Sequence, residues 1–253
     1  MERLILTSIE NGVARLSINR PKVLNALNRQ VVDEIDEFVS GLEGKARVLL
    51  ICSEKNFAAG ADIKDMVQCD SEGARQFLFS PTYDKISNLK IPTIAAIDGY
   101  ALGGGLELAL CCDIRIASEQ AKMGFPEINL GIMPGAGGTI RAPRAIGYSM
   151  ALELILTGTV IRAERAVQIG LVNRIVPKES LEEEAVRLAK TLAGKAPVAL
   201  HTALETVRDG LRMSEAEGIA LEAERWSGLF ETEDQKEGMN AFLKNRPPVF
   251  RGK

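Results

Sequence analysis

The sequence predicts an α/β fold, and three observations carry that prediction. Val48 to Cys52 is a short, wholly apolar run of the kind a strand buried on both faces of a parallel sheet requires, and Thr93 to Ile97 is a second β-compatible apolar run. Helical patterns alternate with such runs over most of the chain. At 253 residues, with 46% hydrophobic and 26% charged residues, the chain can fill one large core and still carry an appendage.

Leu4 to Ile9 and Val13 to Ile18 alternate in polarity around Asn11-Gly12, a strong hairpin signal. An amphipathic helix follows, carrying Val31, Val32, Ile35, Phe38 and Val39 on one side and stopping at Gly41. Val48 to Cys52 then delivers the chain to Lys55-Asn56-Phe57-Ala58-Ala59-Gly60-Ala61-Asp62-Ile63-Lys64. A loop of small residues at a strand's carboxyl end is a usual ligand position in open α/β sheets, although it also reads as a tight turn. Residues 71 to 89 read as helical. Thr93 to Ile97 runs into a turn at Asp98-Gly99, passes Gly103-Gly104-Gly105 and enters a buried helix from Leu106 to Cys112.

Beyond it, Asp113 to Ala117 and Ala121 to Phe125 read as strands, and Thr139 to Ile146 and Ser149 to Leu156 as helices. Arg162 to Ile169, a strand around Val172 to Val176, and Leu181 to Leu192 complete the α/β part, giving a core over 1–195. Residues 196–253 show no strand. Helical patterns at 197–209, 214–230 and 234–244 present Ile219, Trp226, Phe230, Met239 and Phe242, more apolar surface than short terminal helices cover alone. This region is expected to pack on a neighbouring subunit, the alternative being a simple cap on the chain's own core.

Several function classes are disfavoured. A net charge of -3 leaves no basic footprint for nucleic acid. Cys52, Cys69, Cys111 and Cys112 lack metal spacing and read as core thiols in a reducing compartment. The single histidine, His201, lies far along the chain from both glycine clusters, which argues against a histidine triad. The opening residues alternate too early into charge for a signal peptide, and no run has membrane-spanning length, so a cytoplasmic protein is expected.

The chemistry points to residues 92–139. Three consecutive glycines sacrifice stability unless the backbone bends unusually or something approaches it closely. A helix starting there aims free N–H groups and a positive dipole end at what approaches, which suits an oxyanion. Glu107 sits one turn into that apolar helix, where desolvation would lift its pKa toward neutrality. A second glycine-rich run, Met133-Pro134-Gly135-Ala136-Gly137-Gly138, follows another acid, Glu127. The dinucleotide fingerprint fails because Leu108 stands where its third glycine belongs, and the phosphate loop fails because Gly105 replaces its lysine. Taken alone, the commoner meaning of the first stretch is a tight turn with a first-turn acid.

Ala95-Ala96-Ile97-Asp98-Gly99-Tyr100-Ala101-Leu102-Gly103-Gly104-Gly105-Leu106-Glu107, followed by Pro126-Glu127-Ile128-Asn129-Leu130-Gly131-Ile132-Met133-Pro134-Gly135-Ala136-Gly137-Gly138-Thr139, resembles the crotonase superfamily, specifically enoyl-CoA hydratases. The resemblance extends from about residue 4 to the C-terminus. It implies a spiral of repeated ββα units with a C-terminal trimerisation region, often forming dimers of trimers, and a coenzyme A thioester as substrate with no further cofactor and no metal. It assigns Glu107 as base toward water, Glu127 as acid toward the α-carbon, Ala61 and Gly104 as oxyanion donors, and Gly135 as a water-positioning amide. Lys22, Ala59, Ala61, Asp62, Ile63, Lys64 and Gly104 become CoA or substrate contacts, although Lys22 also reads as a plain surface charge. A double-bond isomerase of the same fold generally keeps the acid at 127 without needing one at 107. An RNA-binding relative uses a lysine-rich helix, where this chain has Asp33, Glu34, Asp36 and Glu37. Asp98, Ile132-Met133 and Ile140 depart from the family's commoner asparagine, threonine-isoleucine and glutamine without removing a proposed donor or carboxyl.

Overall fold

The computed structural model describes residues 3–253; Met1 and Glu2, the start of the expected core segment, lie outside the described residues. In chain order the elements are β1 (Ile5–Glu10), β2 (Val13–Ile18), α1 (Arg29–Ser40), β3 (Val48–Ser53), α2 (Ile63–Met66), α3 (Ser80–Ser87), β4 (Thr93–Ile97), β5 (Tyr100–Leu102) and α4 (Gly104–Leu110). They continue as β6 (Ile114–Ser118), β7 (Lys122–Gly124), α5 (Gly138–Ile146), α6 (Tyr148–Thr157), β8 (Val160–Arg162), α7 (Ala163–Gln168), β9 (Arg174–Val176), α8 (Leu181–Ala193), α9 (Pro197–Gly210), α10 (Glu215–Gly228) and α11 (Glu233–Leu243).

Six strands form one sheet in the order β1-β2-β3-β4-β6-β9, parallel throughout except for the β1–β2 hairpin. A small second sheet has the order β5-β7-β8. The chain steps repeatedly from the large sheet to the small one and then into a helix: β4 to β5 to α4, and β6 to β7 to α5. The turn after β3 follows the same course, because Ala58 bridges Ala101 of β5 before the chain enters α2. This is the expected spiral of ββα units.

Why the central strands read as unbroken apolar runs is visible in their two faces. Val48, Leu50, Cys52, Ile94, Ala96 and Ile116 pack under α8, against Leu181, Ala185, Ala189 and Ala193. Leu49, Ile51, Ala95, Ile97 and Ala117 point the other way, into the main core with Leu27, Val31, Ile35, Leu106 and Ala109. Helix α1 starts where the Asn28 side chain accepts the Val31 N–H at 3.0 Å and buries the stripe Val31, Val32, Ile35 and Val39.

The structure corrects the expected elements in four places. Helix α4 begins at Gly104, not Leu106, so only Gly103 lies in the turn. Gly105 is a helical residue whose missing side chain leaves room for the Ala58 carbonyl. Strands β5 and β8 were not expected: β5 lies between Gly99 and Gly103 and β8 directly follows Gly158-Thr159, so both read as loop. The single helix expected over 71–89 is a short 3-10 turn, Gly73–Phe77, followed by α3, with Leu78 out of helical conformation between them. Pro81 sets the break, since proline suits a helix's first turn and is disfavoured in its interior.

The C-terminal helices match the expected pattern closely. Ser214 and Glu217 form a reciprocal capping box at the start of α10. Neither α9 nor α10 contains a fully buried residue, and Trp226 is 61% and Phe242 82% exposed. Arg208 ties α9 to the core, donating to Asp113 Oδ1 at 2.8 Å and to the Leu89 carbonyl at 2.9 Å. No helix among the described residues is long and apolar enough to cross a membrane.

Candidate active site

The two loops after β3 and β4 meet through the β5 ladder, and their amides converge. Leu27 pairs with Ala61 as an isolated parallel bridge: the Leu27 N–H donates to Gly60 O and the Asp62 N–H to Leu27 O, each at 2.8 Å. In that pattern the Ala61 N–H is turned away from Leu27. Gly104, the first residue of α4, has no intrahelical acceptor for its own N–H. Neither donor meets a backbone acceptor among the described residues. The position a Gly104 Cβ would occupy is 3.8 Å from Ala61 N and 3.9 Å from Glu107 Oε2, so these three groups border one small space.

Glu107 is 2% exposed, and its Oε1 accepts two N–H groups, from Ala136 and from Gly138, each at 2.7 Å. Gly138 opens α5, so the carboxyl sits on a helix N-terminus, a natural anion seat. Burial pushes the Glu107 pKa up, opposed by the two amides and by the nearby Arg141 guanidinium.

Glu127 stands in the first turn of the 3-10 segment Pro126–Leu130. Its Oε2 is buried without a hydrogen-bond partner. A Cβ on Gly103 would lie 2.5 Å from its Oε1, so the carboxyl rests directly on that glycine. Burial raises its pKa to about 7; its own N–H opposes the rise, and the negative charge of Glu107 adds to it. Glu127 touches Gly103 and Glu107 approaches Gly104, which places the two carboxyls beside the Gly103–Gly104 peptide whose N–H is a free donor. Gly135 is exposed immediately before Ala136, and its N–H has no backbone acceptor.

The residues expected to meet the CoA moiety gather on a second, open rim. The Ala59 N–H donates to Leu24 O at 3.1 Å, which sets the 20–25 segment beside the 59–64 loop. Lys22, Ile63 and Lys64 are exposed there, and neither lysine has an acidic partner among the described residues. Asp62 differs from the others because its carboxylate is paired with Arg20 at 3.1 Å. Arg20 also donates to Ala26 O at 2.5 Å, so the pair fastens the two segments together. The Asp62 N–H and carbonyl are taken as well, by Leu27 O and by the Asp65 N–H, so Asp62 serves the loop and offers the rim no free polar group of its backbone.

Sequence reasoning missed the amides of Ala136 and Gly138 as the seat of Glu107. The signal was the glycine-rich run opening a helix, the same signal that had drawn attention to residues 103–105.

One buried and one half-buried carboxyl in unlike environments face two unclaimed amide donors beside a lysine-bearing rim, an arrangement suited to acid–base chemistry next to a carbonyl. The family model for enoyl-CoA hydratase/isomerase matches residues 8–253, and the chain belongs to that family. Among its relatives are a short-chain-enoyl-CoA hydratase of Clostridium acetobutylicum, 40% identical over 96% of this chain and 95% of that protein, and a crotonyl-CoA hydratase of Syntrophomonas wolfei, 41% identical over 98% of each. A crystal structure of enoyl-CoA hydratase from Bacillus anthracis superposes with a TM-score of 0.95 at 37% identity, covering 99% of this chain and 100% of that one.

Proposed function

We propose that this chain is an enoyl-CoA hydratase, adding water across the double bond of a 2-enoyl-CoA to give the 3-hydroxyacyl-CoA. The observation that carries the proposal is the division of labour between the carboxyls. Glu107 accepts two N–H groups, which favours the carboxylate. Glu127 has an unpartnered buried oxygen and a pKa near neutrality, which favours the acid.

In the hydration direction Glu107 takes a proton from water, and the resulting hydroxide adds to the β-carbon. The electrons of the double bond move onto the thioester oxygen, which the amides of Ala61 and Gly104 hold. Glu127 then delivers its proton to the α-carbon, and dehydration reverses each step. Gly135 N–H helps place the water. Acid, base and oxyanion donors complete the chemistry, so we propose that the reaction uses no metal or redox cofactor. Lys22 and Lys64 meet the phosphates of CoA at the open rim, with Ala59 and Ile63 beside them. The names and near full-length similarity of the relatives support the hydratase reading. Retention of the cradled Glu107, which an isomerase does not need, favours it further.

The test is loss of conjugated-thioester absorbance on mixing with crotonyl-CoA, with 3-hydroxybutyryl-CoA identified as product. A moved double bond without added water would favour the isomerase instead.

The same pair sets the pH response. The active form carries one proton, on Glu127 in the hydration direction. As pH rises through about 7, Glu127 ionises and kcat/KM for hydration falls; as pH drops far enough to protonate Glu107, it falls again. A bell-shaped kcat/KM profile is expected, and Glu127→Gln should abolish its upper limb in whatever activity remains. A profile flat across neutrality would rule out Glu127 as the acid.

We also propose that α9–α11 are the oligomerisation region and that the chain assembles as a trimer or a dimer of trimers. Two helices with no buried residue and Trp226 and Phe242 in water are unstable as a monomer's surface. Light scattering should give about three or six times the 27.4 kDa of one chain, and Trp226→Glu with Phe242→Glu should lower that mass. A monomeric wild type would refute this assembly.

A further inference from the structure

Gly104 is asked to hold an amide in a fixed direction, yet it is a glycine following a glycine, the residue pair with the greatest backbone freedom. One hold comes from within α4, where the Gly103 carbonyl accepts the Glu107 N–H at 2.9 Å, and two come from outside the loop. On the N-terminal side, the Gly103 N–H donates to Gly124 O at 2.9 Å. On the C-terminal side, the Gly104 carbonyl accepts the hydroxyl of Tyr83 at 2.9 Å. Tyr83 has no exposure, belongs to α3 and lies 21 positions earlier in the chain. Its ring packs against Phe79 at a centroid distance of 6.1 Å, which leaves the phenol little room to turn.

We infer that Tyr83 is a positioning residue for the oxyanion hole, orienting the Gly104 N–H by clamping the carbonyl of the same residue. The inference rests on the hydratase reading and extends it to a residue that touches no substrate. A carbonyl can only accept, so the phenol must be the donor. Burial moves its pKa upward, which keeps it protonated. With the Gly103 carbonyl, on the same peptide as the Gly104 N–H, accepting from Glu107 N–H at 2.9 Å and the peptides before and after it pinned by Gly124 and Tyr83, that N–H is left one direction. Without the phenol, one of the three holds is gone, and the donor samples orientations that do not meet the thioester oxygen. The adjacent Asp84 provides a control on the same helix: it pairs with Arg141 at 2.5 Å, tying α3 to the Glu107 loop and not to Gly104.

The experiment compares Tyr83→Phe with Asp84→Asn by kinetics with crotonyl-CoA and by the carbonyl stretching band of a bound, unreactive cinnamoyl thioester. Since losing a whole oxyanion donor costs about 10²–10³ in kcat, loosening one should cost about tenfold, with KM nearly unchanged. In Tyr83→Phe the band should return toward its position in water, whereas in Asp84→Asn it should stay at the wild-type frequency. A wild-type band and kcat in Tyr83→Phe would overturn the inference. Equal band shifts in both variants would also overturn it, because they would mean general loosening of α3. If Tyr83→Phe does not fold, difluorotyrosine placed at 83, a stronger donor of the same shape, should polarise the carbonyl further, and an unmoved band would overturn the inference. If the wild type fails to hydrate any enoyl-CoA, the hydratase reading falls, while the band still decides whether Tyr83 orients the amide.

Discussion

Glu127→Gln should lower kcat at least a hundredfold and leave the affinity for the CoA portion nearly intact. Removing a general acid or base costs about 10²–10⁴ in rate, and the amide keeps the size of the carboxyl while losing its proton. The lysine rim lies on other loops and is not disturbed. Glu107→Gln should cost at least as much. Its amide oxygen can still accept from Ala136 and Gly138, so the cradle survives and only the base is lost. Because the carboxyls act as one unit, the double variant should be little worse than either single one. Steady-state kinetics with crotonyl-CoA decides the matter: a raised KM at unchanged kcat would reassign both residues to binding.

Glu127→Gln also carries an opposite effect on stability. A folded-state pKa of about 7 against an ordinary 4.5 means that the folded chain holds this proton more tightly than the unfolded chain. The benefit is full below 4.5 and fades as pH climbs toward 7, so above neutrality the ionised carboxylate is a burden on the fold. Discounted for the part of the side chain that water reaches, the burden is on the order of 1–2 kcal/mol. At pH 8 the inactive variant should therefore melt higher than the wild type, and the gap should close as the pH is lowered. Melting curves at two pH values check this.

Gly103→Ala is the second large effect. Gly103 adopts φ 49° and ψ −123°, a conformation that residues with a side chain avoid. The new methyl would stand 2.5 Å from Glu127 Oε1 and 3.0 Å from its Cδ. Backbone strain of about 1–3 kcal/mol is expected, together with displacement of the proposed acid. Turnover should fall about a hundredfold, since the acid is worth that much, and the melting temperature should drop. An alanine variant with wild-type turnover would show that Glu127 does not work from its place against Gly103.

The glycine triplet shows where reading from sequence reached its limit. All three residues looked like one flexible turn. In the fold, Gly103 makes the bend and rests against Glu127, Gly104 exposes a donor, and Gly105 makes way for the Ala58 carbonyl. Only Gly103 and Gly105 are required to lack a side chain, for two different reasons, and nothing local distinguishes the three. Asp62 is a similar case: its place beside the rim was legible, but its pairing with Arg20 spans 42 positions. The short strands β5 and β8 were hidden by the glycines beside them, which made both segments read as loop.

The sequence by itself determined what lies in local order: the apolar strands, the stripe of α1, the helical C-terminal region, the two glycine-rich runs and the acids beside them. These follow from periodicity and backbone preference within a few turns of chain. Tertiary structure alone decided that Glu107 would be cradled by Ala136 and Gly138, that Glu127 would lie bare against Gly103, and that Tyr83 would clamp Gly104. Desolvation and amide direction depend on which distant segments fold over a side chain. The chemistry of a carboxyl is thus set by its neighbours in space and not by its neighbours in the chain.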